Sequence, residues 1–164
     1  MSNIQISNIL LWQKDQQFRN LEFRHNHVNV ITGDAGKGKS SILFIIDYCL
    51  LASETKGISK TNIDSKVDWY GIRLTIDGKE LVIARPSEAQ QDRDRAYFSE
   101  DGIIPERPTP NIRIDNLKRV LNKAFGIDPE LKVPYGGKFI QAGQKVSFRN
   151  FLAHCYQDQT TIIA

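Results

Sequence analysis

The stretch Gly33-Asp34-Ala35-Gly36-Lys37-Gly38-Lys39-Ser40 constrains this chain more than any other. It fits the phosphate-loop pattern G-x-x-x-x-G-K-[ST] without a mismatch. Glycines at 33, 36 and 38 permit a tight turn whose backbone N–H groups converge on an anion. Lys39 is then placed to reach the outer phosphates, and the Ser40 hydroxyl to ligand Mg²⁺. Asp34, Ala35 and Lys37 complete the loop around the phosphate chain. The flanks agree. His27-Val28-Asn29-Val30-Ile31-Thr32 alternates β-branched residues and predicts a strand running into the loop. Ile42, Ile45, Ile46, Cys49 and Leu50 recur at helical spacing and predict a helix from about Lys39 to Ala52. In that context the helix N-terminus adds its own positive potential. The stretch implies that the chain binds a nucleoside triphosphate.

With 164 residues and 40 % apolar content, the chain can bury one good core and reads as one domain. The net charge of +3 is too slight to argue for nucleic acid by itself. Cys49 and Cys155 are far apart, and Cys49 falls on an apolar helix face, as in reduced cytosolic proteins. No signal-peptide pattern is visible, and Asp47 breaks the longest apolar run. The expectation is a soluble cytoplasmic protein with no membrane partner.

Taken in order, Ile4, Ile6, Ile9 and Leu11 alternate as a strand that slips register near Asn8, and Lys14-Asp15-Gln16-Gln17 reads as a turn. Phe18, Leu21 and Phe23 give a second strand, with a bend at His25-Asn26. Two strands ahead of a glycine loop suit a mixed sheet covering a nucleotide pocket. His25 and His27 would share a strand face, but with no third ligand nearby a solvated turn is the better reading. Ser53 to Ser65 is polar and reads as a mobile loop; with Lys56, Lys60 and Lys66 spaced through it and just beyond, it is also a candidate for touching phosphate or a DNA backbone.

Val67 to Arg85 predicts a hairpin: Tyr70, Ile72, Leu74 and Ile76 on one parity, Asp77-Gly78 at the turn, and Leu81, Ile83 and Arg85 returning. Leu74-Thr75-Ile76-Asp77 imitates a Walker B strand but ends in that turn, with Gly78 where a catalytic Glu belongs. Pro86 to Pro110 is charged and proline-punctuated, with Ala96 to Ser99 as a short strand and Arg93, Arg95 and Arg107 as solvated loop residues. Asn111 to Phe125 predicts an amphipathic helix, closed by Gly126. Leu131 to Lys145 reads as loop, and Gly136-Gly137-Lys138 lacks the spacing of a second phosphate loop. Ser147 caps a predicted short helix from Phe148 to about Cys155.

Three stretches together resemble the N-terminal lobe of an SMC-like ABC ATPase head, the group that includes RecF- and RecN-type DNA-repair proteins. They are the opening strands with Gly33–Ser40 and the helix after them, the hairpin with Trp69-Tyr70-Gly71 and Ile83-Ala84-Arg85, and Ser147-Phe148-Arg149-Asn150-Phe151-Leu152 closing on Tyr156-Gln157-Asp158-Gln159. The resemblance implies an α/β P-loop NTPase fold: residues 1–52 as strands, loop and helix, 66–100 as hairpin region, 111–126 as helix, and 147–164 as helix and Q-loop. It implies ATP and Mg²⁺ as cofactors, Ser41 as part of the phosphate-binding site, Lys39 as a catalytic residue, and Gln157 as the Q-loop glutamine that ligands Mg²⁺ and helps place the attacking water. Gln159 takes that role if the register is shifted by two. Ala35 stands where SMC proteins usually have Asn, and Lys37 where they have a small residue.

The resemblance also implies that the signature motif, Walker B, catalytic Glu and switch His lie beyond the point corresponding to Ala164, after a long coiled coil. The chain would then be one lobe of a head, inactive by itself. Its partners would be a second head or the C-terminal half of the same protein, and DNA, in repair or in defence against foreign DNA. A nucleotide-gated signalling module that controls an effector subunit is the alternative from another class. A small P-loop kinase fits less well, because antiparallel hairpins follow the helix.

Overall fold

The structure, a computed structural model, describes residues 3–90 and 92–128, together with Glu130, Lys132, Lys145 and Phe148. Two compact units divide the chain, residues 1–117 and 118–164.

The first unit is built on a six-stranded sheet in the order β2-β1-β3-β4-β5-β6. Its strands are β1 (Ile4–Gln13), β2 (Phe18–Glu22), β3 (Val67–Ile76), β4 (Lys79–Pro86), β5 (Arg95–Ser99) and β6 (Ile112–Arg113). Every neighbouring pair is antiparallel. The expected mixed sheet is therefore corrected: the segment that would have supplied a parallel strand forms no ladder. That segment is His27–Thr32, with Val28 92 % and Val30 77 % exposed. Its polar groups are met locally instead. The Asn29 carboxamide accepts from Arg24 N–H at 2.9 Å and donates to the carbonyls of Arg24 and His27, at 3.0 and 3.1 Å. A side-chain-stapled turn competes with strand formation here. His25 and His27 lie exposed beside it.

Elsewhere the alternation is realised. Tyr70, Ile72, Leu74 and Ile76 are buried, while Arg73 and Thr75 are half-buried. Asp77 and Gly78 turn the hairpin with φ of 49° and 83°, the left-handed pair that a two-residue connection demands. Asp77 is tied there by accepting from Asn3 N–H at 2.7 Å, so it belongs to the turn and to no Walker B strand. The register slip in β1 falls between Ile6 and Asn8, where the Ser7 hydroxyl donates to the Arg73 carbonyl at 3.1 Å. Trp12, Leu10, Val82 and Ala84 form the core under β1 and β4, and the Trp12 indole N–H reaches the Glu106 carbonyl at 3.0 Å.

Helix α1 spans Ser41–Cys49 and packs on β1, β3 and β4, shorter at both ends than the spacing predicts. At its start, Ser41 and Ile42 N–H groups bond back to Gly38 and Lys39, three residues away. At its end Leu51 turns left-handed with φ 70°, and Ala52 and Leu51 N–H groups bond to Asp47 and Tyr48 carbonyls in a Schellman closure. The buried Arg85 guanidinium also donates to the carbonyls of Tyr48 and Ala52, at 2.8 and 2.5 Å, and sits 4.0 Å over the Tyr48 ring.

Ser53 to Ser65 is a loop, as expected, with Thr55, Ile58 and Asp64 buried in it, and it runs into a single 3₁₀ turn over Asp64–Lys66. One further expectation is corrected. The helix expected from Asn111 begins later. Ile112 and Arg113 pair with β5 as β6, and α2 runs Ile114–Ala124. The unit boundary falls inside α2. In the second unit Phe148 is buried, donates its N–H to Asn122 Oδ1 at 3.1 Å, and meets Phe125 with ring centroids 5.3 Å apart. The expected helix after Ser147 and the loop from Leu131 lie largely outside the described residues, as do Gln157 and Gln159.

Candidate functional site

The glycine loop occupies residues 33–40, immediately before α1. Gly33, Gly36 and Gly38 have φ of 150°, 76° and 88°, values that side-chain-bearing residues rarely adopt. Gly38 has a second reason to be glycine: a Cβ there would lie 2.9 Å from Ile63 Cδ1. A side chain at this position would have to displace the tip of Ile63. The curved backbone gives Lys39 its orientation. Its ammonium folds back over the loop and donates to the carbonyls of Gly33 and Asp34, both at 2.5 Å. Those are the bonds a polyphosphate oxygen would exchange with. Ser40 occupies the N-cap position of α1, is exposed, and gives the helix no side-chain cap bond. Ser41, the first helical residue, is buried. Asp34, Ala35 and Lys37 are exposed along the loop.

Beside the loop opens a cleft of about 690 Å³. Its floor is apolar, with Ile9 and Leu11 from β1, Leu21 from β2, and Ile42 and Ile45 from α1. Its rim is cationic, with Arg19, Lys37, Lys39 and Lys66, and no carboxylate stands among its described lining residues. An apolar floor with a positive rim suits a ligand that has a flat apolar end and an anionic chain. The chemistry of this donor set fits a triphosphate with its cation: a glycine-rich loop before a helix, one ammonium, one exposed hydroxyl and a positive rim.

Of the residues Gly33–Ser41 named from sequence, Gly33, Gly36, Lys37, Gly38 and Lys39 line the cleft, while Asp34, Ala35, Ser40 and Ser41 do not. Among the contributors not singled out for the site are Arg19 and Asn20 on β2, and Asn62 and Ile63 before the 3₁₀ turn. For β2 the only signal was its pairing with β1, which sets Arg19 opposite Leu11. Nothing in the local pattern marks Asn62 or Ile63, since their role depends on the chain folding back over Gly38. Behind α1 the surroundings are dry. Burial pushes the Cys49 thiol up to about 12, against the lowering influence of Arg85, and burial followed by the hydrogen bond to Asp64 pushes the Tyr70 phenol up as well.

Among the described residues no group of three or more His, Cys, Asp or Glu is arranged to hold a metal, and no helix is long and apolar enough to cross a membrane. A search of curated proteins and a search of solved structures each matched nothing. A family model described as "AAA domain" matches residues 3–135. With the phosphate loop, α1 and the antiparallel sheet all inside that span, the chain belongs to this AAA domain family of SMC-like P-loop ATPases.

Proposed function

We propose that this chain is the nucleotide-binding lobe of an SMC-like ATPase, which seats Mg²⁺-ATP in the 33–40 cradle with its base and sugar in the adjoining cleft. The observation that carries this is the cradle itself, three glycines in conformations open to few other residues beside a cationic rim. Family members use ATP with Mg²⁺. When bound, the cation would neutralise phosphate charge and polarise the outer phosphate. Lys39 would leave the Gly33 and Asp34 carbonyls for phosphate oxygens, the Ser40 hydroxyl would hold the cation, and Gln157 would be its second protein ligand.

Hydrolysis needs a second head or the C-terminal half of the same protein. The exposed side chains of Val28 and Val30 support such a complement, since apolar side chains standing together in water offer a surface for a partner to cover. Alone the lobe binds ATP and turns it over negligibly. DNA is the proposed substrate of the assembled machine, in repair or in defence against foreign DNA, with Lys56, Lys60 and Lys66 on the loop that would meet its backbone.

Titration with Mg²⁺-ATP tests the site. Lys39→Ala should lose roughly a hundredfold in affinity with the fold retained by circular dichroism. Unchanged affinity refutes the assignment.

A further inference from the structure

Resting on the nucleotide reading above, a second question is what holds the cleft wall opposite the glycine loop. Asn62, Ile63 and Lys66 line the cleft, and Ile63 reaches the loop at Gly38. These three residues sit on a short, irregular connection with little regular structure of its own. Its backbone is closed by local bonds, from Ile63 and Asp64 N–H to the Ser59 carbonyl, both at 3.0 Å, and from Ser65 N–H to Lys60 at 2.9 Å. Such bonds shape the turn but do not fix it to the body of the protein.

Lys14, just past β1, holds the end of the segment by its N–H to the Lys66 carbonyl at 2.9 Å and its ammonium to the Ser65 carbonyl at 2.8 Å, and one buried side chain anchors it to the sheet. The Asp64 carboxylate, in a residue 9 % exposed, accepts from the Tyr70 hydroxyl at 2.7 Å in a buried contact. Tyr70 is wholly buried in β3. Its ring meets Tyr48 of α1 edge-on, with centroids 5.9 Å apart at 88°, and the Tyr48 hydroxyl donates to the Pro86 carbonyl at 2.7 Å. The wall, the sheet and the helix that follows the glycine loop are thereby joined through two buried phenols. Both phenols are pushed upward, chiefly by burial, so each remains a donor across the working pH range.

We propose that Asp64 and Tyr70 are positioning residues that hold Ile63 at a fixed distance from the phosphate cradle, so that the pair sets the grip on the nucleoside end of the ligand and not on its phosphates. The phosphates meet Gly33–Ser40 and the cationic rim. The nucleoside must pass between the cradle and Ile63, and it reads most directly where that side chain stands. Removing the Tyr70 hydroxyl leaves a buried carboxylate without its donor, which drives the turn outward toward water.

Paired titrations of the full chain with Mg²⁺-ATP and with inorganic tripolyphosphate separate the possibilities. Tyr70→Phe should weaken ATP roughly tenfold and leave tripolyphosphate within about twofold. Ile63→Ala, which removes the wall's contact and leaves the buried pair intact, should reproduce the same split and serves if Tyr70→Phe folds poorly. Asp64→Asn keeps an acceptor for the phenol and should recover most of the ATP affinity. Equal losses for both ligands would mean general loosening of the unit and would overturn the proposal, as would no loss for either. A wild-type chain that binds tripolyphosphate and ATP equally well overturns the wall while leaving the cradle standing. A wild-type chain that binds neither overturns the nucleotide reading itself.

Discussion

Across the β3–β4 hairpin, backbone groups are satisfied by ladders on both sides, and side chains of one parity close on α1. Across residues 24–32, only an asparagine side chain answers the backbone, and Val28 and Val30 stand in water. Both stretches carry the same period-two apolar pattern. What separates them is the supply of partners. The hairpin brings its own second strand within two residues, whereas the approach to the glycine loop needs neighbours from elsewhere. In this chain the rigid half is the one that carries no ligand-binding loop, and the ligand-binding loop hangs from the half with the fewest ladder contacts.

The largest test of this contrast is on the rigid side. Arg85→Ala removes a buried guanidinium from the α1 carbonyls at Tyr48 and Ala52 and from the Tyr48 ring, and should destabilise the fold by about 3 kcal/mol in urea denaturation. A change below about 0.5 kcal/mol would mean that α1 is held by its apolar face alone. Next comes Gly71→Ala. A Cβ there would lie 2.6 Å from Trp12 Cζ3 and 3.3 Å from the Ile83 carbonyl oxygen. The indole could swing away only by giving up its bond to Glu106. The expected cost is about 2 kcal/mol, read as a lowered urea midpoint at constant m-value. An unchanged midpoint would show that the core under β1 is looser than its burial suggests.

Local signals explain what could be read in advance. Asp77-Gly78 names its own turn, and Tyr70 to Ile76 names its own buried face, because both depend on residues within a few positions. The phosphate loop is legible for the same reason, since its glycines and Lys39 act at fixed spacing. The pairing of β6 with β5 was not legible: Ile112 and Arg113 match the helical pattern that follows them, and only Arg95 and Ala96, far off in sequence, convert them to strand. Asn62 and Ile63 belong to the same class. Val28 to Thr32 failed in the opposite direction, for a strand pattern describes what a segment can do when partnered and not whether the partner is there.

The smallest expected effect lies on that open segment and bears most on the comparison. Val30→Ser should change the unfolding free energy of this chain by less than about 0.5 kcal/mol, because a side chain already 77 % exposed has little apolar contact to lose. ATP affinity should also hold, since Val30 does not line the cleft. A clear loss of stability would mean that the segment is packed in solution and that the contrast with the hairpin is false. If Val30 awaits the complementary lobe, the same substitution should weaken association once that lobe is supplied, by an amount in keeping with burying one apolar side chain, roughly tenfold in the dissociation constant. A residue silent in the isolated lobe and costly in the assembly would locate the missing partners at this segment, and would explain why a binding loop follows a stretch that forms no ladder: its support arrives with the second half of the site.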